Sequence, residues 1–223
     1  MTGDYLVYGG QGSGSTPVEA TLTLLGAPYR VVERRVWEDK AAAEEMAKVN
    51  PQRQVPALVL PARHSGPGEL MTESAAILIH LAEAHPEANL APAPGSPLRP
   101  RFLRWMAYIS AQIYALYWIR DDASRLAADP AHEPVILERT AARILDCWRM
   151  MDAQVQPEGR FLLGDDLSVL DLYLAVVSRW RPRRRAFYAA APGLAPVVKA
   201  VDADPRLAAF WSDRMPFTDG WEG

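Results

Sequence analysis

The sequence predicts a small α/β domain followed by an all-helical domain, and three observations carry that prediction. The first 85 residues alternate short β-prone runs with helical patterns, in the order β-α-β-α-β-β-α. Residues 85–100, HPEANLAPAPGSPLRP, hold five prolines and read as a semi-rigid linker. Beyond them only helix-period patterns occur. The expected division is therefore 1–85, a linker over 86–100, and an all-helical domain over 101–223.

Each element has a local reason. Leu6 to Tyr8 is a short apolar run, and Gly9, Gly10, Gly12 and Gly14 follow it. In STPVEATLTLLGAP the spacing predicts a helix capped by Thr16, with Pro17 at its first position and Glu19 completing a capping box. Gly26 and Pro28 end it. Tyr29 to Val36 reads as a second strand, and the Ala/Glu/Lys-rich residues 39–49 as a short helix. Residues 57–60 make a third strand, ARHSGPGE a turn-rich connection, and Leu70–Met71 a short fourth strand. That tight connection implies antiparallel pairing of the last two strands. Glu73 to Ala84 has helical spacing, with Thr72 as a possible cap. After the linker, residues 101–120 and 134–153 read as long helices, and 168–180, 193–202 and 205–213 as shorter ones.

Bulk properties narrow the function classes. Net charge is −3, so no global basic field points to nucleic acid. The dense basic run at Arg181, Arg183, Arg184 and Arg185 reads as a solvated helix end, with an anion or acidic-partner site as the alternative. The one cysteine, Cys147, falls in a helical pattern and reads as packing. No signal-peptide pattern and no stretch of about 18 uncharged apolar residues occurs, so the economical expectation is a cytoplasmic protein without a membrane span.

Two polar features stand out in the first domain. Pro56 opens the strand ALVL, where it cannot fill an interior rung of a ladder. Pattern alone favours a trans proline starting the strand. A cis Val55–Pro56 bond is the alternative, and it would aim the Val55 backbone outward to pair with a peptide-like ligand. The second feature is TES, residues 72–74. Cap chemistry explains it, but a helix start bearing Glu73 and Ser74 can also hold a ligand with both a carboxylate and an ammonium.

The run from Asn50 through VPALVL to MTESAAI, and the opening strand, Ser/Gly-rich loop and helix ending LLGAPY, resemble the glutathione transferase family. The linker and helical second domain match the family in length and order. The resemblance implies a thioredoxin-like first domain with a cis proline at Pro56 and a Val55 backbone that bonds the cysteinyl part of glutathione. It implies that Glu73 and Ser74 hold the γ-glutamyl group, and that Arg53 and Gln54 lie toward the glycyl end. Ser168 and Asp171 in GDDLSVLDLYLA have capping-box spacing, with Leu167 placed for a staple. They match a buried structural motif of the family's helical domain.

A family member must stabilise the glutathione thiolate, and a free thiol has a pKa near about 8.5. A hydroxyl donor and a helix N-terminus favour the charged form. Counting back from LLGAPY, the resemblance puts Ser15 nearest that role and Ser13 next, with capping as the alternative for Ser15. The loop has no cysteine, which excludes a mixed disulfide there. Tyr8 is a second hydroxyl candidate, with a buried aromatic role as its alternative. An electrophile site is expected between the domains, drawing on Tyr8, Arg104, Tyr108 and Trp118; Tyr114 and Trp118 are expected to share a helix face. The C-terminal MPFTDGWEG is expected either to fold over that site or to fray.

The implied function is a transferase that uses glutathione as co-substrate against a hydrophobic or aromatic electrophile, as a homodimer. Ether cleavage, dehalogenation, isomerisation and peroxide reduction are related outcomes. A glutathione-binding regulatory protein of the same fold is the rival reading, and a protein with no glutathione site is the third. No metal is expected.

Overall fold

The computed structural model describes residues 4–61 and 68–223. Of the expected turn-rich connection, residues 62–67 lie outside the described residues. The chain forms two compact units. The first takes Met1–Ala93 together with Asp202–Phe217, and the second takes Pro94–Val201 with Thr218–Gly223. Sequence spacing assigned residues 202–217 to the helical domain; their packing groups them with the first unit.

In the first unit, four strands form one sheet: β1 (Tyr5–Gly9), β2 (Tyr29–Glu33), β3 (Ala57–Val59) and β4 (Leu70–Thr72). Their order is β2-β1-β3-β4. β1 runs parallel to β2, while β1–β3 and β3–β4 are antiparallel. Helices α1 (Thr16–Leu24), α2 (Lys40–Ala47) and α3 (Ser74–Ala84) complete the β-α-β-α-β-β-α order, a thioredoxin-like arrangement. Tyr5 and Val7 bury one side of β1, and α1 packs against α3 through an interior holding Val18, Leu22, Ile77 and Leu81. Met46 of α2 joins Val55 and Ala57 in a second apolar cluster, with Tyr8, Val36 and Val49 at its edge.

Three local expectations are corrected here. β2 stops at Glu33, and Val36 leaves the ladder to pack in the cluster with Met46. Thr16 does not cap α1: it is the first helical residue, its Oγ1 is buried and has no partner among the described residues, and Ser15 stands in the cap position. Glu19 therefore closes no capping box with Thr16 and points elsewhere. Thr72 does not cap α3; it ends β4, and Glu73 occupies the cap position at φ 67° without a side-chain cap bond.

The second unit is helical: α4 (Arg99–Tyr108), α5 (Tyr117–Asp121), α6 (Glu133–Gln154), α7 (Val169–Val177), α8 (Arg184–Ala190) and α9 (Ala195–Asp202, whose last residue groups with the first unit). The expected single helix over 101–120 is broken. A π-turn at Ile109–Ile113 and a 3₁₀ turn at Tyr114–Leu116 separate α4 from α5. α8 was not anticipated, because the basic run masks its apolar positions. Arg184 is not solvated: it is buried, and its guanidinium donates to the Ala175 carbonyl at 2.7 Å. α7 is buried along its whole length. Its capping box closes as spaced, with Ser168 N–H donating to the Asp171 carboxylate at 2.9 Å.

The segment returning to the first unit carries α10 (Ala208–Arg214), which packs on α1. Its last residue turns out to matter for the loop between β1 and α1.

Candidate functional site

The sheet register brings three chain segments to one end of the first unit. Tyr8 pairs with Ala57, and Ala57 pairs with Thr72. One residue further on in each strand lie Gly9, Pro56 and Glu73. The loop 10–15, the start of β3 and the start of α3 therefore meet where β1 ends. The Val55–Pro56 bond is cis. Val55 is buried with Pro56, whereas Arg53 and Gln54 are exposed. Arg53 has φ 58° and Glu73 φ 67°, left-handed conformations that a non-glycine residue adopts only where its surroundings enforce them.

Asn50 builds the turn that presents Val55. It is buried, its side-chain amide donates to the Gln54 carbonyl at 3.0 Å, and its Oδ1 accepts from Gln52 N–H at 3.1 Å. Asn50 is not among the residues singled out from the sequence; its place at the head of the NPQRQVP run, where an Asx side chain organises a turn, is the signal that marks it. Ser74 is buried, and its hydroxyl donates to the Gly14 carbonyl at 3.3 Å. That bond ties α3 to the serine loop. Glu73 is exposed at the same terminus.

Within the loop, the two serines differ. Ser15 is fully buried and Ser13 is 8% exposed. Ser15 Oγ donates to Glu19 Oε1 at 2.6 Å and accepts from Gly10 N–H at 3.1 Å. The two serine oxygens are 3.0 Å apart. Ser13 Oγ also accepts from the N–H groups of Ser15 (3.2 Å) and Gly10 (3.3 Å). Behind Ser15, Glu19 Oε2 accepts from Arg214 Nε at 2.6 Å, and Arg214 Nη1 lies 2.6 Å from Glu33 Oε1. Burial alone would depress the Arg214 pKa; the hydrogen bonds and charges of Glu19 and Glu33 outweigh it and hold the pKa above its ordinary value. The loop is anchored to α10 twice more, by Gly12 N–H to the Arg214 carbonyl (3.1 Å) and Gln11 Nε2 to the Asp213 carbonyl (2.8 Å).

Sequence reasoning missed Arg214 altogether and gave Glu19 a capping role. Glu19 carried one usable signal: a carboxylate one helical turn after Ser15 lies on the same face. Arg214 has no such signal, being 195 residues from Glu19.

The remaining candidates divide between the units. Tyr8 sits at the edge of the Met46–Val55–Ala57 cluster. In the helical unit, Arg104 lies over the Trp105 ring at 4.5 Å and bonds Gln154 of α6. The Tyr108 hydroxyl donates to the Cys147 carbonyl, also on α6, at 2.9 Å. Burial first, then the Cys147 thiol, pushes the Tyr108 pKa up to about 12. Trp118 is 43% exposed beneath the Arg125 guanidinium. Tyr114 packs against Tyr173 and Trp180 and shares the Trp180 contact with Tyr117, because the 3₁₀ turn at Tyr114–Leu116 brings residues three apart onto one face. The expected shared face of Tyr114 and Trp118 is thus absent. Trp221 of the C-terminal segment lies under Arg179 at 4.8 Å and Arg184 at 5.5 Å. Among the described residues no cluster of His, Cys, Asp or Glu could hold a metal, and no helix is long and apolar enough to cross a membrane.

This geometry can be set beside known proteins. Residues 12–89 match the family model described as "Glutathione S-transferase, N-terminal domain". The chain is 30% identical over 202 residues to the uncharacterized GST-like protein YncG of Escherichia coli K12, covering 90% of this chain and 94% of that protein. The chain belongs to the glutathione transferase family. Among solved structures, a glutathione transferase homolog from Sulfitobacter with bound glutathione superposes with a TM-score of 0.79 at 24% identity, over 96% of this chain and 99% of that one. A sphingomonad glutathione S-transferase complexed with glutathione gives 0.71 at 25% identity, over 92% and 96%.

Proposed function

We propose that the protein is a glutathione-dependent transferase. The observation that carries this reading is the meeting, at one end of the sheet, of a serine loop, the Val55–Pro56 entry to β3 and the Glu73–Ser74 start of α3. The last two, with Arg53 and Gln54 beside Val55, suit the three parts of one tripeptide, and the serine loop suits its thiol. The Val55 backbone is assigned to the cysteinyl part, by strand-like pairing. Glu73 takes the γ-glutamyl ammonium, and Ser74 with the α3 N-terminus takes its carboxylate. Arg53 and Gln54, both exposed beside Val55, take the glycyl carboxylate. Relatives solved with bound glutathione support the same ligand.

The hydroxyl assigned to the thiol is Ser13 in preference to Ser15. Ser15 is wholly buried and gives its one proton to Glu19, whereas Ser13 keeps 8% exposure and has no carboxylate taking its proton. The thiolate then attacks an electrophilic carbon held by aromatic side chains and a guanidinium, for which Tyr8, Tyr108, Trp118 and Arg104 are the assigned candidates; Trp118 offers the most exposed of these rings. Conjugation is the leading reaction, with ether cleavage, isomerisation, dehalogenation and peroxide reduction available to the same thiolate. A homodimer, as the family resemblance implies, is the proposed assembly, and sedimentation velocity tests it.

One observation favours a second reading. The commitment of the Ser15 proton to Glu19 weakens the case for turnover, and a protein that binds glutathione without transferring it would have the same ligand contacts. Calorimetry and the ultraviolet absorbance of the bound thiolate separate the cases. Binding with a thiolate signal near neutral pH is expected, and Ser13→Ala should raise the bound thiol pKa by less than the roughly one unit that an unshared hydrogen bond is worth, because Ser15 Oγ competes for the Ser13 proton. Absence of glutathione binding to the wild type rules out both readings. Binding with no thiolate signal at saturation leaves the binding protein.

A further inference from the structure

The hydroxyl chain behind the loop has a direction. Ser15 carries one proton, and its Oγ has four polar neighbours: Glu19 Oε1 at 2.6 Å, Ser13 Oγ at 3.0 Å, Gly10 N at 3.1 Å and the Gly10 carbonyl at 3.4 Å. A carboxylate accepts only, so the shortest of these contacts takes the proton. The Gly10 N–H fills one Ser15 lone pair, and the other faces Ser13. Ser13 already accepts two backbone N–H groups, so its own proton has two destinations: inward to Ser15, or outward to a ligand. Glu19 cannot turn away, because Arg214 holds its other oxygen and both carboxylate oxygens are enclosed.

We propose that Glu19 is a positioning residue for the thiol site: clamped by Arg214, it takes the Ser15 proton, makes Ser15 an acceptor and draws the Ser13 hydroxyl inward, so the chain restrains ionisation of a bound thiol. The inference rests on the glutathione reading. The charged and titratable groups around the pair are Arg214 and Asp213 from α10 and Glu33 and Tyr29 from β2, with Arg35 reaching Gln11 in the loop. Arg214 is the cation in contact with Glu19. It is shared with Glu33, so the group as a whole offers a thiolate no net positive charge.

The test is Glu19→Gln. The new amide must keep its oxygen toward Arg214, which only donates, and so turns its nitrogen toward Ser15. That nitrogen donates to Ser15 Oγ. With both Ser15 lone pairs now filled, by Gly10 N–H and the new amide, Ser15 turns its proton to the Gly10 carbonyl and no longer accepts from Ser13, which donates outward to the sulfur. Titrating the thiolate absorbance of bound glutathione should show a pKa below the wild type by up to about one unit, at most roughly a tenfold gain in ionisation. Removing the charge acts in the same direction, so Ser15→Ala is the second variant. It deletes the acceptor that draws Ser13 inward, leaves the Glu19–Arg214 pair in place, and should also lower the thiol pKa. In the double variant the further effect of Glu19→Gln should shrink, because the hydroxyl link is already cut.

A purely structural role for Glu19 would weaken binding or melt the protein without lowering that pKa. Wild-type binding with an unchanged or raised thiol pKa in a folded Glu19→Gln variant overturns the inference and leaves the glutathione reading intact. If Glu19→Gln does not fold, a raised pKa in Ser15→Ala overturns it alone, since Ser15 would then be the thiolate's own donor. Failure of the wild type to bind glutathione overturns both.

Discussion

Gly9 sets how closely Ser15 approaches the end of β1. A Cβ on Gly9 would lie 2.1 Å from Ser15 Oγ and 3.3 Å from Glu19 Oε1, so only glycine leaves room for the buried hydroxyl and its carboxylate. Gly9→Ala should cost about 1–3 kcal/mol of stability through overpacking, read by urea denaturation, and should weaken glutathione binding because the loop must shift. Ser74 acts at the same scale from the other side. Ser74→Ala removes both a proposed ligand contact and the bond to Gly14, and a roughly five- to twentyfold loss of glutathione affinity by calorimetry is expected, the equivalent of about 1–2 kcal/mol. An unchanged affinity would remove Ser74 from the site. At this scale the residue types were legible in the sequence: Ser13, Ser15, Val55, Glu73 and Ser74 were all singled out. What was not legible was the ranking of the two serines. The proposed ranking rests on the burial of Ser15 and its contact with Glu19, and Glu19 was assigned to a cap that does not form.

At the scale of elements, α7 and α4 behave oppositely. The start of α7 is written locally: Ser168 and Asp171 close their box as the spacing requires, because both partners lie within one turn. Asp171 adds a longer link, accepting from Leu162 N–H at 2.9 Å. Burial raises its pKa, opposed by the Ser168 and backbone hydrogen bonds. Asp171→Ala leaves buried N–H groups without acceptors and should cost about 3 kcal/mol, measured by chemical denaturation, with little change in the affinity of well-folded protein for glutathione. α4 instead follows a helical pattern that the structure interrupts. Ile109 and Ile113 are both buried, and the wide π-turn between them lets both sides of the segment pack. The period of the sequence carries no mark of this. Tyr108 closes the contact to α6 through the Cys147 carbonyl, and Tyr108→Phe should lower stability by about 1 kcal/mol. A much larger effect on turnover than on stability would place Tyr108 at the electrophile instead.

At the scale of the whole chain, the decisive feature is the return of residues 202–217 to the first unit. Arg214 is the reason this return reaches the candidate site: it joins α10 to Glu19 on α1 and to Glu33 on β2. Arg214→Met would leave Glu19 buried without its cation. Breaking a buried pair in this way costs about 3–5 kcal/mol, so a large drop in the denaturation midpoint is expected. The loop should loosen with it, seen as faster amide exchange at Gly12, whose N–H is bonded to the Arg214 carbonyl. Unchanged stability would mean that the pair is electrostatically idle.

The α/β-then-helical order, the family resemblance and the capping box of α7 were legible along the chain, as were the residue types proposed for the recognition elements. All of these are set by contacts between near neighbours or by patterns that repeat along one element. Tertiary structure alone decided that Ser15 is buried and its proton taken, that Arg184 is interior, that the long helix breaks at Ile109–Ile113, and that Arg214 stands behind the serine loop. Those outcomes depend on which distant groups share a desolvated space. A buried donor or carboxylate must find its partner wherever the fold supplies one, and here that partner is 195 residues along the chain from Glu19.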